Sequence, residues 1–544
     1  MNKIISLLLL FIISQVSAQF QFLPSGDSQF YPESGGPIQQ ITASIGYQGY
    51  DETQEYFGQG EYQIFLDTND GILDAPIIIL DGFDPGDGRD INGLYASLTF
   101  DAQNLADILR TEGYDIVVLN APQYTTDGKD IDGGADYIQR NAMVLIELIE
   151  VLNDQKVGDE ELVILGPSMG GLIARYGLAF METNSLDPET RLYISFDSPH
   201  RGANIPISLQ YLINYFAQEV GDPTALALVE QVLNSPAAKE MLIDHLLGHL
   251  FPGSPIDPDP TKLLPFGAPD FRDAFQQELD NLGFPQNVRN VTMINGAGDG
   301  TTSGMAGMTL VDTNLQIDAL TSVDVALRFT PEAGQTNTVT DITAFFIGFP
   351  VATYTTMAQS PANTDGVDAS PGGTGSISAA LGGGGGNPVL QDFIDALQQD
   401  TYSFIPTMSA LAIDEPNWFA IPNLNESPFV NFYIPGENED HVTVTAESAQ
   451  FALDEIRQIL SVDGVNNESF ALLQNPIQNQ IQLAALSNNG TIKANLYSIT
   501  GQLLFENQWQ PTNRINWEVS LDSGMYILIV EDEQSRSEFK ILVK

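Results

Sequence analysis

Between residues 76 and 196 short unbroken apolar runs alternate with longer stretches of helical period. Pro76–Leu80, Ile116–Leu119, Leu162–Leu165 and Leu192–Phe196 have almost no polar position inside them, the pattern of strands buried on both faces of a parallel sheet. Residues 100–112 and 136–153 recur at three and four and predict helices, as does Gly171–Phe180. Strands and helices in this order imply βαβ units with right-handed crossovers. Upstream, residues 19–60 are rich in Gly, Gln and Tyr, and Ile41–Ile45 and Tyr62–Leu66 alternate as antiparallel strands do. The turn Asp67–Gly71 after them lacks the spacing of an EF-hand loop.

The pattern then changes character. Pro206–Phe216 and Ala237–Leu247 are apolar and helix-periodic, within a 204–265 segment inserted after a core strand, where a lid over a site would lie. Val288–Ile294 resumes strand character. A second insertion, 305–428, carries Thr- and Val-rich strand candidates, a helix near Val389–Leu397 and the flexible tract Gly382–Gly386. A structureless loop of that length does not suit a compact domain, so this is a subdomain. Phe429–Ile434 reads as the last core strand and Ala446–Leu460 as the last helix. From 466 to 544 short alternating runs separated by turn residues predict a small β-sandwich. These runs are Ile492–Tyr497, Gly501–Phe505, Asn516–Val519, Met525–Val530 and Phe539–Val543. The fold class is therefore α/β, a mostly parallel sheet with helices on both faces, with an all-β module at the C-terminus.

The first eighteen residues do not belong to this pattern. Lys3, the apolar run that follows it and Val16-Ser-Ala18 have the three parts of a secretory signal peptide, cleaved after Ala18. The apolar part is too short to span a bilayer, and no later run approaches that length. The expected organisation is a signal at 1–18, a catalytic domain at 19–465 containing both insertions, and the β-module at 466–544. The 544 residues suffice for this. There is no cysteine, which excludes disulfides, thiol catalysis and thiolate metal sites. The net charge of −51 excludes electrostatic binding to nucleic acid or to anionic membrane.

Gly166-Pro-Ser-Met-Gly170 lies directly between an apolar strand and a helix. Gly-x-Ser-x-Gly in that context is the sharp turn that presents a serine nucleophile, and its glycines let strand and helix approach. Ser168 then needs a base, and the chain has four histidines, His200, His245, His249 and His441. His245 and His249 are spaced for one helix face, but no glutamate follows His245, so the zinc-protease pattern is missing. His441 follows the last core strand and precedes the last helix, the place of the base in the order Ser, acid, His. His200, in Ser198-Pro-His-Arg-Gly202, is the alternative. For the orienting acid, position favours Asp299, in the turn after the strand that precedes the second insertion. Asp197, at the end of the strand 192–196, is the alternative. Met169 N–H and Phe83 N–H are the expected oxyanion donors, and loss of one such donor typically costs about 3–4 kcal/mol. The Phe83 loop is crowded with Asp81, Asp84, Asp87 and Asp90. One uncompensated carboxylate about 8 Å from an oxyanion opposes it by roughly 2 kcal/mol. These side chains are therefore expected to point away, to pair with Arg89, or to hold a structural cation. No catalytic metal or other cofactor is expected.

Over about 75–460 the chain resembles the α/β-hydrolase superfamily, on Gly166-Pro-Ser-Met-Gly-Gly171 and the Ser198–Gly202 segment, which look like its lipase and esterase branch. The resemblance implies an α/β-hydrolase fold and ester hydrolysis through an acyl-enzyme, with Ser168, Asp299 and His441 as the triad. Many lipases carry His-Gly in the oxyanion loop, where this chain has Asp81-Gly82. The tail is similar to the C-terminal sorting domain of the type IX secretion system of Bacteroidetes. The matching residues are Asn475-Pro476, Leu496–Leu504, Leu521–Val530 and Lys540–Lys544. That similarity implies the type IX machinery as partner and release from the cell or attachment to its surface. The expected activity is a secreted serine hydrolase, a lipase or carboxylesterase acting on an ester or lipid-like substrate. An amidase or peptidase with the same triad, and a non-catalytic surface-binding protein on a hydrolase scaffold, are the alternatives.

Overall fold

The computed structural model describes residues 35–381 and 388–457, and in the tail 470–472, 477, 480–485, 491–498, 502–512, 514–521, 524–532 and 536–543. The expected signal at 1–18 and the Gly382–Gly386 tract lie outside these residues. The chain divides into two compact units, Met1–Asp454 and Glu455–Lys544.

The first unit is organised by an eight-stranded sheet. Its strands are β1 (Gln39–Tyr47), β2 (Tyr56–Phe65), β3 (Pro76–Leu80), β4 (Asp115–Asn120), β5 (Leu162–Pro167), β6 (Thr190–Phe196), β7 (Arg289–Met293) and β8 (Asn431–Tyr433). Their spatial order is β1-β2-β4-β3-β5-β6-β7-β8. β2 is antiparallel to both β1 and β4, and every pairing from β4 to β8 is parallel. The apolar runs explain the order. β3, β4, β5 and β6 are buried at every position and occupy the centre. β1 alternates buried and exposed positions over its first half and forms an edge. Helices pack against this sheet, and a mostly parallel sheet connected through helices makes the first unit an α/β fold. The helices Ile138–Gln155 and Met169–Thr183 pack on each other and bury their apolar sides in the main core.

Three elements differ from expectation, each in a definite way. The helix expected over 100–112 starts only at Leu105, after a small hairpin of Thr99–Phe100 with Gln103–Asn104. The Asn104 side chain accepts from Ala106 N and Asp107 N, an N-cap that fixes the start. The helix expected over 237–247 stops at Met241, where extended Leu242 bridges to Ala203 and the next short helix begins at Leu246. The last core strand is three residues long rather than six.

The insertion at 305–428 has its own architecture. Thr309–Gln316, Thr321–Arg328, Thr336–Phe346 and Phe349–Gln359 form an antiparallel four-stranded sheet in chain order. Gly372–Ser376 and Thr401–Pro406 form a separate hairpin, with the helix Pro388–Asp395 between its strands in the chain. The second unit holds a three-stranded and a four-stranded antiparallel sheet around a core that includes Phe470, Ile481, Leu496, Trp517, Leu528 and Ile541.

Candidate active site

The turn between β5 and the helix Met169–Thr183 is strained where the sequence motif requires it. Ser168 has a positive φ combined with a strongly negative ψ, outside the regions a non-glycine residue ordinarily occupies. Its N–H donates to Phe196 O at 2.8 Å, which anchors the turn to β6. The flanking glycines have no room for a side chain. A Cβ on Gly166 would lie 2.6 Å from backbone atoms of Gly170 and Gly171, and one on Gly170 would lie 2.7 Å from Asp81 O.

Ser168, His441 and Asp197 form one hydrogen-bonded line. His441 Nε2 lies 2.9 Å from Ser168 Oγ, and His441 Nδ1 lies 2.6 Å from Asp197 Oδ2. Asp197, an acceptor as a carboxylate, selects the tautomer in which Nδ1–H donates to it and Nε2 accepts the serine hydroxyl. All three side chains are buried. The second Asp197 oxygen accepts from Asn295 N at 3.1 Å, and the Asp197 N–H donates to Met293 O at 2.7 Å. Phe404 packs edge-on against the His441 ring, centroids 4.9 Å apart. His441 N–H donates to Thr374 O at 3.0 Å, so the hairpin of the second insertion holds the backbone of His441.

The carboxylate at His441 is thus Asp197 and not Asp299. Register explains why. Phe196 pairs with Pro167, so the residue after β6 lies beside the serine turn. Asp299 lies in the loop beyond the end of β7 at Met293, is exposed, and accepts from Thr301 N instead. His200 is also elsewhere. Its Nε2 is 2.9 Å from Ser195 Oγ, and its ring packs on Phe284 and Phe429. Burial, with the Arg175 and Arg201 charges adding, holds His200 well below the usual imidazole range. His245 and His249 do not share a helix face. His245 caps a four-residue helix and its Nε2 meets Leu233 O, whereas His249 Nε2 meets Asp244 Oδ1 at 2.5 Å.

Among the expected oxyanion donors, Met169 occupies the first position of its helix, so its N–H has no acceptor within the helix. Phe83 lies buried in the loop after β3, and Asp81 O in that loop approaches the serine turn at Gly170. The acidic residues of this loop have partners within it and on β4. Arg89 Nη2 donates to Asp81 Oδ1 at 2.7 Å, and Arg89 Nη1 is 3.7 Å from Asp84 Oδ1. Asp87 accepts from Asn120 Nδ2, and Asp90 caps the helix Ile91–Ala96. Burial pushes the Asp81 carboxyl up, to about 6, although Arg89 opposes the shift. Among the described residues no three His, Asp or Glu side chains are grouped so as to hold a metal ion.

Sequence reasoning did not foresee Asn295, Thr374, Phe404 or Glu439. Glu439 accepts from Asn295 Nδ2 at 2.8 Å, and burial followed by lesser contributions that include the Asp197 charge raises its pKa. No local motif marks these residues; they meet only through the fold.

Residues 474–544 match the family model of the secretion system C-terminal sorting domain. No curated protein matches the chain. Among solved structures it is similar to a Bacillus licheniformis lipase, BlEst2, in propeptide form. The identity is 10%, the match covers 88% of this chain and 76% of that one, and the TM-score is 0.32. It is also similar to Est1E from Butyrivibrio proteoclasticus, at 12% identity, 48% and 78% coverage and a TM-score of 0.24. A third similarity is to a Pyrobaculum calidifontis esterase, at 11% identity, 47% and 66% coverage and a TM-score of 0.23.

Proposed function

We propose that this chain is an exported serine hydrolase that cleaves carboxylic esters through an acyl-enzyme. The observation that carries the reading is the hydrogen-bonded line from Ser168 through His441 to Asp197. Ser168 Oγ attacks the ester carbonyl as His441 Nε2 takes its proton, and Asp197 holds the imidazolium that forms. Met169 N–H and Phe83 N–H donate to the oxyanion. The C–O bond to the alcohol breaks, and His441 returns the proton to the leaving oxygen. Water, activated by His441, then releases the acid and restores Ser168. These steps use water as the only co-reactant.

The remaining assignments follow. Residues 1–18 direct export and are removed, 19–465 carry the chemistry, and 466–544 engage the type IX machinery for release or surface attachment. The match of 474–544 to a sorting-domain model supports that last role. Chromogenic esters of graded acyl length, with matched anilides, test the reading. Turnover of esters by the wild type and its loss in a folded Ser168→Ala variant are expected. Full activity in that variant refutes the serine mechanism, faster anilide cleavage refutes the ester preference, and an inactive wild type favours a binding protein.

A further inference from the structure

The four-stranded sheet of the second insertion ends in an apolar tip. Phe346, Ile347, Phe349 and Val351 surround the turn between its last two strands, and Leu320 joins them from the neighbouring turn through Ile347 N to Leu320 O at 2.7 Å. All five side chains are exposed, Phe349 by 73% and Ile347 by 59%. Each of the two strands has eleven residues, so the tip stands roughly 35 Å along the hairpin from its base.

Two features show that the turn is not ordinary surface. Ile347 and Gly348 both have positive φ, a two-residue hairpin turn with both central residues left-handed. A β-branched residue is disfavoured there and asparagine is not, yet the chain places an exposed isoleucine in the turn. In addition, no charged residue falls between Asp341 and Asp365, in a chain with 71 acidic residues. The charges closest in the sheet, Asp318, Asp324 and Asp341, are all negative.

We infer that this tip inserts into the surface of an electrically neutral lipid bilayer. Area and charge choose that occupant. The exposed parts of the five side chains amount to about 500 Å², in the upper part of the range covered by the largest apolar patch of a monomer, which is often functional. That is less than the roughly 800 Å² per partner of a stable protein interface, which disfavours a second copy, as does the repulsion between two chains of net charge −51. Asp318 in the neighbouring turn, Asp324 and Asp341 further along the strands, and the same net charge oppose an anionic bilayer. An apolar tip whose nearest charges are all negative, on a polyanion, therefore fits a surface without net charge. This inference is independent of the hydrolase reading, because it concerns where the molecule docks and not what it cleaves.

Flotation of the full-length protein with phosphatidylcholine vesicles tests it, beside the double variant I347N/F349S. Asparagine suits the backbone of the turn, so the variant is expected to unfold at the wild-type temperature. The wild type should float with the vesicles, the variant's partition should fall about tenfold or more, and phosphatidylglycerol vesicles should capture less. A wild type that stays at the bottom of the gradient overturns the inference, as does equal flotation of the variant. Self-association of the wild type that the variant abolishes also overturns it, by making the tip a contact between copies. Phe349→Trp supplies a second readout: its added emission should shift to the blue with phosphatidylcholine vesicles, and an unshifted spectrum counts against insertion.

Discussion

At the scale of single residues the acid of the site is the decisive assignment. Asp197 is buried and bonded to both His441 and Asn295, whereas Asp299 is exposed and serves its own turn. Asp197→Asn should lower kcat/KM by about a thousandfold to ten-thousandfold, since an amide there favours the wrong imidazole tautomer. Asp299→Asn should leave it at the wild-type level, and steady-state kinetics on one soluble ester compare the two. Asp81 is the other residue with a distinct prediction. Its carboxyl is raised from 3.8 to about 6 in the folded chain, so the native state binds more protons than the unfolded state in that window. Its contribution to stability is complete below about pH 4 and is lost as pH rises through about 6. Asp136, also raised to about 6 by burial, adds a slope of the same sign. Buried His200 and His245, whose pKa values are lowered, contribute with the opposite sign, so the test is the difference. In urea unfolding between about pH 4 and 7 the slope of stability with pH should be less negative in Asp81→Asn than in the wild type. Parallel slopes in the two proteins contradict this account.

At the scale of elements the strand-and-helix alternation of 76–196 was legible because burial on two faces leaves few polar positions inside a run. The turn at Ser168 was legible for a related reason, since Gly166 is required by contacts only a few residues away. What was not legible is the hairpin Gly372–Ser376 with Thr401–Pro406, whose sequence carries no chemical motif. It supplies Thr374 O to the His441 backbone and Phe404 to the His441 ring. Gly373 packs directly on the acid: a Cβ there would lie 2.0 Å from Asp197 Oδ2. Gly373→Ala should displace the carboxylate and lower kcat by about tenfold to a hundredfold with KM unchanged on a small ester, because small misplacements at a reacting centre have effects of that size. A kcat equal to that of the wild type would show that the hairpin plays no part in aligning the acid.

At the scale of the whole molecule the chain separates into the α/β unit and the tail unit, and each has its own core. A chain ending near residue 465 should keep the thermal unfolding and the ester turnover of the longer protein, while the amount exported falls. Loss of turnover on truncation would mean that the tail supports the site. The sequence by itself determined the sheet strands, the helix after the serine turn, the nucleophile candidate, the position of His441 and the sorting-like tail. Each is encoded by periodicity or by contacts between near neighbours in the chain. Only the tertiary structure decided which carboxylate meets His441, how the acidic loop after β3 is paired, and that the second insertion braces His441. The Asp197–His441 bond joins residues 244 positions apart. A contact of that range depends on strand register and on which loops share one end of the sheet, and neither leaves a trace in local pattern.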